Sequence, residues 1–316
     1  MTRIAVLDDY QVVALGISDW SALEGRAEIT AFADHLDDEE SLVQRLVDFD
    51  VVVAMRERTP FPRRILERLP KLRLLVTTGM GNASFDLDAA RDLGIVVCGT
   101  ALANVQTAEL AWALIMAVTR SIAPEDRAVR DGHWQTTIGR ELHGSTLGVV
   151  GLGTLGSTIA RWGSVFGMHV LAWSPNLDPA AARAQGVEPV TKDELFTRSD
   201  VVSIHMRLSG ATTGLVGERE LRLLGPAGYL VNTSRGPLVE ESALVRALHD
   251  GTIAGAALDV FDAEPLPHGH PLLSTPNTTL SPHMGYVSGP AYRASYGEAV
   301  DDIVAWLDGA PVRRLA

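Results

Sequence analysis

The chain has 316 residues and a net charge of −12, because 27 Lys and Arg face 39 Asp and Glu. This acidic balance argues against a nucleic-acid binder and against a ligand of anionic membranes, since both need a basic face. The composition is that of an ordinary globular protein, with 46% hydrophobic and 21% charged residues, and the single cysteine, Cys98, excludes an intramolecular disulfide framework. The length predicts about two domains.

The N-terminus does not resemble a signal peptide, and the longest apolar stretch does not resemble a membrane span. Asp8 and Asp9 follow the first short apolar run at once, which no signal peptide does. The longest apolar stretch, 105–120, is interrupted by Gln106 and Glu109, so a buried helix fits it better than a membrane span. We therefore expect a cytoplasmic protein.

The first hundred residues alternate between two kinds of segment. Apolar runs read RIAVL, VVVAM, LRLLVT and IVVCG, and helical patterns between them cover 38–48, 63–69 and 86–94. Continuous apolar strands separated by helices are typical of a parallel sheet that is covered on both faces. A long helix is predicted from about Thr107 to Val118, and the stretch RDGHWQTTIGRELHG after it has no clear period.

A second alternating set begins near residue 145. Its predicted strands read LGVVG, MHVLAW, VVSIH, GYLVN and IAGAALDV, and its helices include TLGSTIARWGSVFG and ESALVRALHD. A last helix is predicted from about Pro290 to Leu307. The pattern therefore predicts an α/β protein with two doubly wound parallel sheets.

A glycine-rich loop opens the second set. Gly151, Gly153 and Gly156 form a G-x-G-x-x-G motif between a predicted strand and a predicted helix, and another strand closes the βαβ unit. This context favours a dinucleotide site, in which the glycines allow a tight turn, close approach of a pyrophosphate and close helix packing. Thr154 and Leu155 then offer helix N-terminal N–H groups to phosphate. A ligand-free packing turn is the alternative interpretation.

The expected acidic residue that binds the ribose hydroxyls of NAD is missing. The second strand of the unit ends in Trp173 and is followed by Ser174, so no carboxylate repels a 2′-phosphate. Arg207, just past the strand VVSIH, is a candidate for a phosphate contact or simply a solvated side chain. These residues leave the choice between NAD and NADP open, and the predicted cofactor is NAD or NADP, with NAD slightly favoured.

Three polar anchors follow the later strands. Arg235 and Glu264 each lie just past a predicted strand, and His283 lies just past the short strand-like run TTL; the three are 29 and 19 residues apart. Open α/β sheets bind ligands at this edge, so we expect the three to share one crevice. Histidine exchanges protons near neutral pH, a neighbouring carboxylate orients it, and a guanidinium binds a carboxylate through two hydrogen bonds. Taken singly, each has an ordinary structural explanation.

Several long motifs, in order, resemble the D-isomer-specific 2-hydroxyacid dehydrogenases, the group that includes D-3-phosphoglycerate dehydrogenase. They are LGVVGLGTLGSTIARWGSVFGMHVLAW, DVVSIHMRLSGATTGLVG, GYLVNTSRGPLVEESALVRAL, AALDVFDAEPL and SPHMGY. The resemblance implies a homodimer in which a Rossmann cofactor domain, residues 103–286, is inserted into a flavodoxin-like substrate domain, residues 1–102 and 287–316. No C-terminal regulatory domain is expected after the last helix.

The resemblance also implies roles for individual residues. Arg235 would anchor the substrate carboxylate, Glu264 would be the partner acid and His283 the general acid/base. Backbone N–H groups of Met80 and Gly81 would bind the substrate carboxylate, and Arg56 weakly favours a substrate with a second negative charge. No metal site is predicted. From the glycine loop and the resemblance together, the predicted cofactor contacts are Gly151, Gly153, Thr154, Leu155, Gly156, Ser174, His205, Arg207, Thr212, Thr233, Ser234, Asp259 and Thr107.

The predicted activity is transfer of a hydride between NAD(P)(H) and C2 of a D-2-hydroxy acid or its 2-oxo acid. An alternative of another class is a nucleotide-sensing corepressor of the same fold that binds partner peptides and turns over little. A third interpretation, a structural Rossmann protein without a ligand, leaves the three polar anchors unexplained. Turnover of a panel of 2-oxo acids distinguishes the enzyme from the sensor.

Overall fold

A computed structural model describes residues 1–101 and 105–316. Its described residues divide into two compact units, one formed by residues 1–101 with 287–316 and the other by residues 105–286. The domain boundary predicted between residues 102 and 103 lies outside the described residues.

The N-terminal unit is built on a five-stranded parallel sheet. Its strands are β1 (Thr2–Val6), β2 (Ala27–Ala31), β3 (Val51–Ala54), β4 (Leu74–Thr77) and β5 (Val96–Gly99). Their order, β2-β1-β3-β4-β5, is the flavodoxin-like order. Every residue of β3 and β4 is buried, which explains why these strands read as unbroken apolar runs in the sequence.

The central unit is built on a seven-stranded parallel sheet. Its strands are β6 (Thr146–Val150), β7 (His169–Trp173), β8 (Glu188–Pro189), β9 (Val201–Ile204), β10 (Tyr229–Asn232), β11 (Gly255–Leu258) and β12 (Thr278–Leu280). The order β12-β11-β10-β9-β6-β7-β8 is the Rossmann order extended by one strand. The strand order reverses between β6 and β9, and ligands of such sheets bind at this switch point. The predicted α/β class with two parallel sheets is confirmed.

Helices connect the strands in both units. In chain order they are α1 (Ala14–Ile17), α2 (Glu39–Leu46), α3 (Arg63–Leu66), α4 (Leu87–Asp92), α5 (Val105–Thr119), α6 (Ile122–Arg130), α7 (Thr154–Val165), α8 (Pro179–Ala184), α9 (Lys192–Arg198), α10 (Glu218–Leu224), α11 (Glu241–His249) and α12 (Gly289–Leu307). Within the described ranges, no helix is both long and apolar enough to cross a membrane.

Some elements were not predicted from the sequence. Strand β2 lies at a sheet edge and is only partly buried, so it lacks the apolar run that marks the inner strands. Helix α6 has no buried residue, and its large apolar side chains, Ile122 and Val129, are exposed. The predicted helix over 63–69 is shorter in the structure, where α3 ends at Leu66.

Candidate active site

The glycine loop connects β6 to the N-terminus of α7, and its geometry admits only glycine at two positions. Gly151 has a φ of 95°, and a Cβ there would lie 2.5 Å from the carbonyl oxygen of His205. A Cβ on Gly156 would lie 1.9 Å from the carbonyl oxygen of Gly151. The space beside Gly153 is open, with no described atom within 4 Å of its added Cβ. The open side of the loop therefore lies at Gly153, as a pyrophosphate cradle requires.

Several polar groups around this loop fit a dinucleotide. Helix α7 has 12 residues, and within the described chain the N–H groups of Thr154 and Leu155 in its first turn have no acceptor. Such a helix end attracts phosphate. Two buried side-chain atoms, Thr233 Oγ1 and His205 Nδ1, also have no partner among the described residues. Because buried polar groups are nearly always hydrogen-bonded, both atoms favour a bound polar ligand.

His205 follows β9 directly and is held beside the loop. Its Nε2 lies 2.9 Å from Ser203 Oγ, and desolvation lowers the pKa of His205 to about 4. The ring is therefore neutral at neutral pH and can meet a ligand without adding charge.

His283 and Glu264 form a close pair. Glu264 Oε2 lies 2.5 Å from His283 Nδ1, and Glu264 Oε1 accepts the backbone N–H of Phe261 at 2.8 Å. The carboxylate is therefore fixed on both oxygens, and the imidazole presents Nε2, for which the described residues offer no hydrogen-bond partner. Tyr286 packs edge-on against the imidazole, with ring centroids 5.6 Å apart.

The turn that contains His283 is held by two further side chains. The buried carboxylate of Asp259 accepts the N–H groups of Met284 and Gly285, at 2.7 and 2.8 Å. Thr107 Oγ1, in α5, donates to the carbonyl of Gly285 at 2.8 Å. Burial raises the pKa of Asp259 above its ordinary value, although the two N–H donors favour its charged form. These contacts hold His283 in place, even though its φ of 52° lies in the left-handed region.

Arg235 follows β10 on the same sheet. Its carbonyl oxygen accepts a hydrogen bond from the Asn232 side chain at 2.9 Å, and its own Nη1 donates to the carbonyl of Ser234 at 2.7 Å. Ser234 Oγ in turn donates to the carbonyl of Ile204 at 2.7 Å, which ties the exit of β10 to that of β9. The guanidinium is thus attached to a fixed backbone at the ligand-binding edge.

The N-terminal unit presents its own set of predicted groups after β4. Within the described residues, the N–H groups of Met80 and Gly81 have no acceptor. The preceding Gly79 donates its N–H to Thr100 Oγ1 at 3.1 Å, and Arg56 Nη1 donates to the carbonyl of Thr78 at 3.1 Å. The loop therefore offers two free backbone donors on a supported backbone, as an anion-binding loop does.

The remaining predicted contacts lie at the exits of β7 and β9. Ser174 is partly buried and Arg207 is exposed. The hydroxyl of Thr212 is buried and used within the loop, because it accepts the N–H of Ser209 and donates to the carbonyl of Arg207, both at 2.8 Å. Thr212 thus shapes the loop in this structure, and its contact with cofactor stays a prediction.

The groups that support the His283–Glu264 pair are not evident from the sequence. The N–H of Phe261, the ring of Tyr286 and the two N–H groups that Asp259 binds were not predicted. Nothing in the sequence indicates the backbone donors. An aromatic residue three positions after His283 was the one visible sign of the ring contact.

Comparisons with known proteins agree with this geometry. Residues 112–285 match the model of the family described as D-isomer specific 2-hydroxyacid dehydrogenase, NAD binding domain. A glyoxylate reductase of Korarchaeum cryptofilum is 35% identical over 275 residues, which are 85% of this chain and 82% of that protein. A hydroxypyruvate reductase of Blautia hydrogenotrophica is 29% identical over 98% of both chains.

A solved structure extends the similarity to the whole fold. The phosphoglycerate oxidoreductase of Vibrio cholerae superposes with a TM-score of 0.93 and is 38% identical, over 98% of this chain and 100% of that one. The matched family model spans more than half of the chain, and it includes the glycine loop and the His283–Glu264 pair. The chain belongs to the D-isomer-specific 2-hydroxyacid dehydrogenase family, and it is an NAD(P)-dependent oxidoreductase.

Proposed function

We propose that the protein interconverts a small 2-oxo acid and its D-2-hydroxy acid. The observation that carries the proposal is the His283–Glu264 pair, with Nδ1 and Oε2 2.5 Å apart, on the same sheet edge as the glycine loop. A nicotinamide, when bound, supplies or takes up the hydride at C2. The residues of the chain then have to move one proton and bind one carboxylate.

His283 moves the proton. In the reductive direction its Nε2 donates a proton to the oxygen on C2, and in the oxidative direction the same atom accepts it. Glu264 stabilises the imidazolium and keeps the remaining proton on Nδ1, so that Nε2 is the atom that exchanges. Asp259, through the N–H groups of Met284 and Gly285, keeps the imidazole at the end of β12.

Arg235 binds the substrate carboxylate. A guanidinium matches a carboxylate with two parallel hydrogen bonds and polarises the neighbouring carbonyl group. The N–H groups of Met80 and Gly81 are further carboxylate donors in this proposal, and Arg56 is a cation for a second negative charge on the substrate. The roles of these four residues rest on the family motifs and on the local geometry of each unit.

A panel of 2-oxo acids tests the function. The named relatives act on glyoxylate, hydroxypyruvate and phosphoglycerate, which suggests glyoxylate, hydroxypyruvate and 3-phosphohydroxypyruvate as the first three compounds. Each is offered with NADH and with NADPH, and the loss of reduced nicotinamide is followed by absorbance. We expect turnover of at least one compound. Hydroxypyruvate and 3-phosphohydroxypyruvate should give products of D configuration on a chiral column, whereas the glycolate formed from glyoxylate is achiral. Failure of the whole panel, or an L product, would refute the proposal.

The corepressor alternative has no support from these relatives, because their names are those of enzymes. The same panel still tests it, since a sensor would bind nucleotide and turn over none of the oxo acids.

We also propose that the protein is a homodimer. Helix α6 and the segment after it expose large apolar side chains: Ile122 (56%), Val129 (50%), Trp134 (77%) and Ile138 (100%). Apolar side chains grouped in this way mark a surface that another protein covers. Sedimentation equilibrium should give twice the 33.9 kDa chain mass, and Trp134→Glu should lower the association constant. A wild-type protein that sediments as a monomer at micromolar concentration would contradict this assembly.

A further inference from the structure

At the edge of the central sheet beside the glycine loop, a polar residue follows each of two strands: Ser174 follows β7 and His205 follows β9. We call these two positions the β7 exit and the β9 exit. Val150, the last residue of β6, pairs with Trp173 of β7 on one side and with Ile204 of β9 on the other. Ser174 and His205 therefore leave the sheet at the same level, one strand away from Gly151 on either side. Neighbouring strands are about 4.8 Å apart, so the two exits are about 10 Å apart with the glycine loop between them.

The β7 exit has hydrogen-bond donors and no carboxylate among the four residues that directly follow the strand. The side chains of Ser174 and Asn176 make no hydrogen bond to any described residue. The nearest following acid, Asp178, lies four residues past Ser174 and caps α8, where one of its oxygens accepts the N–H of Ala180 at 2.8 Å. The group that usually selects NAD, a carboxylate on the ribose hydroxyls, is therefore missing at this exit.

The β9 exit adds a cation. Within the part of the chain that the structure describes, the guanidinium of Arg207 has no acidic partner and no hydrogen bond. Its carbonyl oxygen is fixed by the buried hydroxyl of Thr212 at 2.8 Å, so the residue is held at its backbone and unengaged at its side chain. Lys192, which lies near the Trp173 ring, is already paired with Glu220 at 2.9 Å.

We propose that Arg207, with Ser174 and Asn176, forms a subsite for the 2′-phosphate of NADP, and that the enzyme prefers NADP(H) to NAD(H). This inference rests on the proposed function only in assuming that the loop at Gly151 holds the nucleotide. A guanidinium binds phosphate oxygens through two charged hydrogen bonds, and hydroxyl and amide donors satisfy the others. The preference differs from the NAD favoured by the sequence, because the structure adds an unengaged cation at the second exit.

Two nucleotides that differ only in the 2′-phosphate test the subsite without turnover. Calorimetric titration of the purified protein with adenosine 2′,5′-bisphosphate and with AMP should show that the bisphosphate binds about 10- to 100-fold more tightly. Arg207→Gln should remove most of that difference and leave the affinity for AMP unchanged. Arg161→Gln, which makes the same charge change on the exposed face of α7, should preserve it. Ser174→Asp should reverse the preference by repelling the 2′-phosphate.

Equal affinity of the wild-type protein for the two nucleotides would overturn the subsite and leave an NAD-dependent enzyme intact. A preference that survives Arg207→Gln would also overturn the assignment to Arg207. Binding of neither nucleotide would count against the nucleotide site itself, and so against the proposed function too. A lack of turnover with the oxo-acid panel, by contrast, has no effect on these titrations.

Discussion

Replacing Glu264 by Gln tests the acid–base pair while keeping its shape. Glu264 Oε1 accepts the N–H of Phe261, and a glutamine can keep that bond with its carbonyl oxygen. Its NH₂ group then faces His283 Nδ1, where Glu264 Oε2 now lies at 2.5 Å. The amide donates to Nδ1, so the ring must carry its proton on Nε2. The substitution therefore removes the negative charge and also inverts the tautomer of His283.

The magnitude follows from the lost charge. A hydrogen bond to a charged group contributes about 1.5–3 kcal/mol, and about 1.4 kcal/mol corresponds to a tenfold change in rate. We therefore expect kcat for reduction to fall about 10- to 150-fold, because the imidazolium that donates the proton loses its partner. The kcat for oxidation of the hydroxy acid should fall further, because Nε2 is already protonated in the inverted tautomer and cannot accept the proton.

Steady-state rates in both directions and a matched control check this prediction. Glu241 also pairs with a histidine of the same unit, with Oε1 3.1 Å from His270 Nε2, and neither side chain takes part in the proposed proton transfer. Glu241→Gln should therefore leave kcat close to the wild-type value. If Glu264→Gln and Glu241→Gln had equal kcat, the role of Glu264 would be refuted. If Glu264→Gln lowered kcat for oxidation and kcat for reduction by the same factor, the tautomer argument would be refuted.

Three further changes test separate parts of the site and fold. His283→Ala should lower turnover at least about 100-fold with nucleotide affinity unchanged by calorimetry; turnover near the wild-type value would exclude its role. Arg235→Ala should raise KM for the oxo acid about 10- to 100-fold, more than it lowers kcat, and a change confined to kcat would contradict carboxylate binding. Burial raises the pKa of Asp302 from 3.8 to about 7 despite Arg313, so the folded protein binds a proton there that the unfolded chain releases. The contribution of this group to the free energy of unfolding therefore falls as pH rises from 4 to 7. Above pH 7, the free energy of unfolding of Asp302→Asn should exceed that of the wild type by up to about 4 kcal/mol. Parallel pH profiles of the two melting temperatures would count against this prediction.

The fold is largely predictable from the sequence, because a strand that is buried on both faces of a sheet reads as an unbroken apolar run. The inner strands β3 and β4 are wholly buried, and their unbroken apolar runs predict them directly. Elements that lie at the surface lack such a run: β2 is half-exposed at an edge, and α6 buries none of its residues. The presence of β2 depends on its pairing with β1, which periodicity does not report.

The predicted site was less complete, and Asp259 shows why. The resemblance implies that this predicted cofactor contact holds the nicotinamide carboxamide. In the structure its two oxygens bind the N–H groups of Met284 and Gly285, 25 and 26 residues further along the chain. Backbone N–H groups are present at every non-proline residue, so a sequence cannot reveal which of them a carboxylate will bind. The carboxamide contact stays a prediction, because each carboxylate oxygen has a second lone pair.

Strand register explains how Arg235, Glu264 and His283 follow neighbouring strands although they are far apart in sequence. Asn232, Leu258 and Leu280 pair side by side across β10, β11 and β12, so the three strands end at one level. The three polar residues follow these ends by three, six and three positions, and the helix and loops between the strands absorb the rest of the spacing. The geometry of the pair therefore depends on the short segments after β11 and β12, which Phe261 and Asp259 fix through backbone hydrogen bonds.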